Sequence, residues 1–474
     1  MLFPTVEFAL FFAVIFAASW AVQVWPTARK LVLLGASYFF YSYWDWRFAF
    51  LLLECSLVNY VLALWLDSLD SVTQARRRRA VLTGGLVFNL GILGFFKYYG
   101  FFLASFNDLL TTMGWQRDIK VMAVLLPVGV SFFTFQGISY VVDVYRKQMK
   151  PTTSVVDMLL LVSFFPHLVA GPLVRASELL PQFAAPVDAR GIRAGKAFLL
   201  IGLGLFKKVV IAHYLAVEVV NPVFEAPTTY STLDLLLGAY GYAVQIYCDF
   251  SAYSDIAIGV ALLLGYHFPR NFNQPYRALS LQDFWRRWHI SLSSWLRDYL
   301  YIALGGSRGG KFKTYRNLFL TMLLGGLWHG AAWTFVFWGV LHGAGLCVER
   351  LWRERWGGVS MTRLGRLLRV ALVFHFVCFT WIFFNAESFP AAWEYLSAFG
   401  NVDTASRLVA PPWALSLLAV GILGQFLPED LLDRLETQMA RIPLTAQAAA
   451  LALVVLTISA WGPGALAPFI YFRF

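Results

Sequence analysis

A chain of 474 residues that is 59% hydrophobic, 17% aromatic and only 14% charged, with a mean hydropathy of +0.63, does not read as an ordinary soluble domain. A soluble domain carries about a quarter charged residues, so the composition predicts an all-α polytopic membrane protein with hydrocarbon as its main solvent. The net charge of +11 does not argue for nucleic acid, because the basic residues sit in short runs between apolar segments and no soluble basic domain stands apart.

The first segment, "MLFPTVEFALFFAVIFAASW", has no basic residue before its apolar run and no convincing cleavage site. It reads as a retained span with the N-terminus on the periplasmic side. Stretches near the 20 residues a spanning helix needs are Val6–Val24, Phe48–Leu66, Ala80–Phe96, Val121–Val144, Ala197–Val220, Leu233–Phe250, Leu367–Phe384, Trp413–Leu427 and Ala446–Trp461. Three more are short or broken. Leu31–Trp44 is short, Val155–Val174 holds Pro166, Gly171 and Pro172, and Asn317–Val348 holds Gly325, Gly326 and Gly330. The expectation is about eleven spans in a single integral-membrane domain, 1–474, with re-entrant hairpins and interfacial helices.

Charge placement bears on the broken pieces. "RGGKFKTYR" precedes Asn317–Val348 and "ERLWRERW" follows it, so both ends are expected on the cytoplasmic side. Such a segment must enter and return, and irregular backbone at that depth is tolerated only inside protein or along a wet cavity. His329 lies near its middle. "FFPHLVAGPLVR", between "RKQMK" and the basic residues Arg190, Arg193 and Lys196, reads the same way.

Three stretches carry chemistry. Ser280–Gly306 opens as a helix capped by Ser280 with Asp283 three residues on, and Phe284, Trp288, Leu292, Trp295 and Tyr299 form one apolar stripe. Arg286, Arg287, Arg297 and Asp298 make it an amphipathic helix, either at the lipid interface or lining a cavity with His289 turned inward. Upstream, Asp249 and Asp255 stand among Ser and Tyr in an apolar region, where a carboxylate is costly unless it pairs or serves a pathway. Asp249 is expected to accept from a serine, a tyrosine or an arginine of the amphipathic helix. His329, beside flexible glycines, is placed to take a proton from a hydroxyl and pass it on. His342 and His375 are read as ordinary helix histidines. Cys55, Cys248, Cys347 and Cys378 show no pair spacing. P-loop, dinucleotide and G-x-S-x-G signatures are missing, and no metal constellation stands out.

"DFWRRWHISLSSWLRDYLYIALGG", "YCDFSAYSDIAIGVALLLGYHFPRNFNQPY" and "GGLWHGAAWTFVFWGVLHG" together resemble the membrane-bound O-acyltransferase family, in its alginate O-acetyltransferase branch. "SYFFYSYW" and the C-terminal "FIYFRF" extend the likeness over nearly the whole chain. The resemblance implies an all-helical core in which an acyl group passes from a thioester to a hydroxyl or amine. It implies that His329 is catalytic and that His289 is the second site residue. Asp249, Asp255, Asn273, Trp285, Arg286, Arg287, Trp288, Arg297 and Trp328, within the quoted motifs, are the candidates for substrate or donor binding.

The expected donor is acetyl-CoA, attracted by Arg286, Arg287, Arg308 and Lys311, with no tightly bound cofactor and no metal. Expected partners are membrane lipid and a separate periplasmic acetyltransferase or acceptor protein that modifies an alginate-like or cellulose-like polymer; no nucleic acid is expected. Two alternatives remain at this point. One is an aminoacyl or acyl carrier protein as donor, as in D-alanylation of teichoic acids. The other is a transporter with a midplane site, for which the inverted repeat is missing.

Overall fold

A computed structural model describes the chain except residues 2, 116–121, 170, 358–361, 401–409 and 462–474, and the side chains of 459–461. "FIYFRF" and the start of the expected span at Val121 fall outside the described residues. Among those described there is helix, turn and loop but no strand. They divide into two compact units, one of residues 1–193 with 260–268, the other of residues 194–259 with 269–474.

In the first unit the helices are α1 (Val6–Ala21), α2 (Pro26–Ser42), α3 (Arg47–Ser68), α4 (Ala75–Thr112), α5 (Val130–Tyr145), α6 (Val155–Ser163), the single turn α7 (Phe165–Leu168) and α8 (Ala176–Ala184). Every residue from Val130 to Val144 is buried, so α5 is the unit's central helix. Gly137 lets α3 and α4 approach it, where Asn59 and Asn89 exchange amide hydrogen bonds of 3.1 and 2.8 Å. The buried Arg78 donates to the carbonyls of Leu69 and Tyr145, closing the exposed ends of two helices. In "FFPHLVAGPLVR" the described residues after α7, 169 and 171–175, are irregular, as the prolines and glycine predict.

The second unit contains α9 (Ala194–Glu225), most of α10 (Thr232–Leu263), α11 (Leu281–Arg287), α12 (Ile290–Trp295), α13 (Lys311–His329), α14 (Trp333–Trp356), α15 (Arg363–Asn385), α16 (Phe389–Ala398), α17 (Pro412–Leu423), α18 (Leu431–Met439) and α19 (Leu444–Trp461). Among the described residues, five helices are long and apolar enough to cross a membrane: α3, α4, α9, α10 and α15. A sixth arises if α17 with its last turn and α18, bent by 98°, count as one. The other apolar stretches are shorter, as in α1, or carry charge, as Arg29 and Lys30 do in α2.

The helix pair expected around Gly325–Gly330 is present. Helix α13 ends at His329, Gly330–Ala332 reverse the chain, and α14 returns antiparallel. Gly326 faces Gly339, Phe319 faces Gly343, and the Cys347 thiol lies 3.5 Å from the Tyr315 carbonyl. A Cβ at Gly326 would overlap the Phe335 carbonyl oxygen, and one at Gly339 would overlap that of Met322. Only glycine permits this backbone approach, the same device that joins helices in lipid.

Candidate active site

Ser280 caps α11 as its spacing predicts: its hydroxyl accepts from the Asp283 N–H at 3.0 Å, and the Asp283 carboxylate accepts from the Leu279 N–H at 3.1 Å. The expectation of one continuous amphipathic helix then fails. Helix stops at Arg287 and resumes at Ile290, with His289 in the left-handed region at φ +43°. Loop 271–273 imposes the break. The Asn273 N–H donates to the Arg287 carbonyl at 2.9 Å, and the Ile290 N–H donates to the Asn271 carbonyl at 2.8 Å. Backbone groups that a continuous helix would pair internally are thus satisfied from outside. Phe284, Trp288, Leu292 and Trp295 remain buried, Tyr299 is half-buried, and the break carries His289 fully inside.

Asn271 holds that histidine. Its Oδ1 accepts from the Ser291 N–H at 3.2 Å and from the Ser291 hydroxyl at 2.8 Å, which fixes the amide's orientation. Its Nδ2 donates to Ser254 at 3.0 Å. His289 Nδ1, 3.1 Å from the same Oδ1, must therefore be the protonated nitrogen, leaving Nε2 with the lone pair. His289 lies in the link between two short helices. Burial beside Phe250, at 4.6 Å between ring centroids, pushes its pKa down, so the imidazole is neutral.

His329, 4% exposed, is the last residue of α13. Its ring sits in an aromatic box: Trp328 at 5.1 Å, Trp338 at 5.0 Å and Phe384 at 5.3 Å. Trp328 is also 6.2 Å from His289, so one indole adjoins both histidines. Two residues the motif reading passed over, Trp338 and His342, belong to this box, their rings 4.6 Å apart. Both lie inside the quoted motif "GGLWHGAAWTFVFWGVLHG", and 334, 338 and 342 fall on one face of α14.

A cavity of about 390 Å³ lies nearby, lined by Trp285, Arg286, Arg297, Met322, Arg350 and Arg353 among others. His329 and His289 are not in its lining; Trp285 stands at the wall, 5.7 Å from Trp338. Glu349, the acidic residue of the lining, accepts from the Leu281 and Gln282 N–H groups, so it caps α11. Arg350 pairs with Glu354 and Arg353 donates to Gln282. Arg297 is held by Asp298 at 2.6 Å. Arg286 is exposed and has no ion pair among the described residues, which suits it to a phosphate.

The remaining candidates lie elsewhere. Arg287 fastens the fold, bonding to Asp283, Glu429 and the Asn273 carbonyl. Trp288 packs 5.1 Å from Trp381, and Lys311 pairs with Glu354, while Arg308 is exposed. Asp249 pairs with the buried Lys208 at 2.7 Å, a lysine where a serine, a tyrosine or an arginine was expected, and Asp255 pairs with Lys207 at 2.5 Å. The lysines are adjacent in a widened π turn of α9, and their partners are six residues apart on α10. No group of three His, Cys, Asp or Glu that could hold a metal ion is found among the described residues.

Comparison with known proteins bears on the family of the chain. Residues 147–389 match the model of the membrane-bound O-acyltransferase family. The chain is 44% identical to the probable alginate O-acetylase of Azotobacter vinelandii over 78% of its own length and 72% of that protein's. It is 38% identical to the peptidoglycan O-acetyltransferase of Helicobacter pylori, covering 80% of the chain and 75% of the relative. To the teichoic acid D-alanyltransferase of Bacillus subtilis it is 28% identical, covering 55% and 69%. The chain belongs to the membrane-bound O-acyltransferase family.

Proposed function

We propose that this enzyme takes an acetyl group from a thioester on the cytoplasmic side of the inner membrane and passes it outward, for O-acetylation of an extracellular polysaccharide. His329 is the general base. The observation that carries this reading is the setting of His329: a nearly dry aromatic box that shares Trp328 with a neutral His289, one indole away from a cavity with a basic lining.

A neutral imidazole in such surroundings accepts the proton of an attacking hydroxyl and returns it to the leaving thiolate. His289, with its lone pair on Nε2, orients the incoming hydroxyl as an acceptor. Arg286 and its neighbours at the cavity attract the phosphates of acetyl-CoA. In this reading the α13–α14 hairpin is re-entrant, about eleven segments contact the membrane, and the N-terminus is periplasmic. A separate periplasmic protein completes transfer to the polymer, which is alginate-like or cellulose-like.

A second reading, supported by the likeness to a D-alanyltransferase, replaces acetyl-CoA with a carrier-protein thioester. Thiol release in liposomes tests both. The expected result is release from acetyl-CoA by the wild type and none by His329→Ala. Release from an acylated carrier protein alone would favour the second reading, and equal release by wild type and variant would remove His329 from the mechanism.

A further inference from the structure

On one stripe of α14, Thr334 Oγ1, Trp338 Nε1 and His342 Nδ1 are buried and make no hydrogen bond among the described residues. Their residues are 2%, 0% and 0% exposed. Burying polar atoms without partners is costly, and each such case in a folded protein calls for a reason.

The three atoms differ in what they can do. The Thr380 hydroxyl donates to the Val377 carbonyl at 2.8 Å, so it accepts from His342 Nε2–H at 3.0 Å. His342 Nδ1 is then a lone-pair acceptor and repels negative charge. Thr334 stands one turn away from Trp338, toward the start of the helix. Trp338 carries an indole N–H, a donor and nothing else. Its ring meets the His329 ring edge to face, 5.0 Å away at 84°, and also contacts Trp285 of the cavity wall at 5.7 Å. The stacked neighbour Trp381 cannot substitute, because its Nε1–H already donates to the Tyr276 hydroxyl at 3.3 Å. Trp285 Nε1 is also without a partner among the described residues, but it stands at the cavity wall rather than against His329.

We propose that Trp338 Nε1–H holds the oxyanion of the acyl-transfer step. This rests on the acyl-transfer reading given above. The acceptor oxygen bonds to the thioester carbon while its proton passes to His329. The carbonyl π pair moves onto the carbonyl oxygen, which Trp338 stabilises through N–H···O⁻. When the C=O bond re-forms, the C–S bond breaks and the sulfur takes the proton from His329. A neutral donor already fixed in dry packing needs no reorganisation when the charge appears, which is where electrostatic catalysis gains most.

The test compares the full-length wild type with Trp338→Phe, Trp381→Phe and His329→Ala in native membrane vesicles, measuring thiol release from acetyl-CoA and from an acetylated carrier protein. Trp338→Phe keeps an aromatic ring and removes the N–H. It is expected to lower kcat by about 100- to 1,000-fold with the thioester KM unchanged. Its melting temperature should fall no further than that of Trp381→Phe, which measures what losing a buried indole does to folding. Wild-type kcat in Trp338→Phe beside a dead His329→Ala overturns the oxyanion role and leaves acyl transfer standing. A raised KM with a melting temperature below that of Trp381→Phe reduces Trp338 to packing and also overturns it. If the wild type releases no thiol from either donor, or His329→Ala matches it, the acyl-transfer reading falls and the proposal with it.

Discussion

The charged face of α10 and the aromatic box around His329 both place polar chemistry in apolar surroundings, and they solve the problem in opposite ways. On α10 each carboxylate has its own lysine: Asp249 with Lys208, Asp255 with Lys207. Formal charge cancels within each pair, and neither pair faces the cavity. In the box no formal charge is needed. Imidazoles and indoles are held by packing, Asn271 and Thr380 set the tautomers of His289 and His342, and Trp338 Nε1 and His342 Nδ1 make no hydrogen bond among the described residues. The contrast proposed is that the matched charges serve the fold, whereas the neutral groups with capacity left over serve the substrate.

Breaking the deeper pair should have the largest effect. Lys208→Ala leaves Asp249 charged and buried, at an expected loss of about 3–5 kcal/mol, read as thermal unfolding of the purified protein in lipid. Replacing both members, Lys208→Met with Asp249→Leu, should restore wild-type stability with activity retained. A double variant that folds but is inactive would move this pair from the fold to the mechanism and collapse the contrast.

An intermediate effect is expected at Asn271. Asn271→Ala removes the acceptor of His289 Nδ1–H and of the Ser291 N–H, at about 1–3 kcal/mol in stability. With the tautomer no longer imposed, kcat should fall further than stability alone explains, and a kcat equal to wild type would show that the His289 tautomer is irrelevant. Lys207→Ala should matter least, near 1 kcal/mol, because its pair with Asp255 is partly open, with side chains 17% and 24% exposed. A loss as large as that of Lys208→Ala would mean that the two pairs act as one network.

Much of the hairpin was legible in the linear sequence. Basic runs at both ends, glycines at 325, 326 and 330 and a lone histidine between them predict a reversal with His329 at the turn, and α13 ends on that residue. The cap at Ser280 was equally local. The break at Trp288–His289 was not, because residues 280–304 contain neither glycine nor proline and keep their apolar stripe. It is imposed by backbone hydrogen bonds from residues 271 and 273, and periodicity within a segment cannot register a competitor from another loop. The side chain that holds His289 is that of Asn271, two residues before Asn273 in the same loop.

By itself, the sequence determined an all-helical membrane chain of this family and put His329 at the turn of a hairpin, since composition, charge runs and motifs are local properties. Only the tertiary structure decided which lysines neutralise Asp249 and Asp255, which amide holds His289, and that Trp338 adjoins the proposed base with its N–H unpartnered among the described residues. Each of these is a choice among chemically equivalent partners far apart in the chain, and packing alone makes that choice.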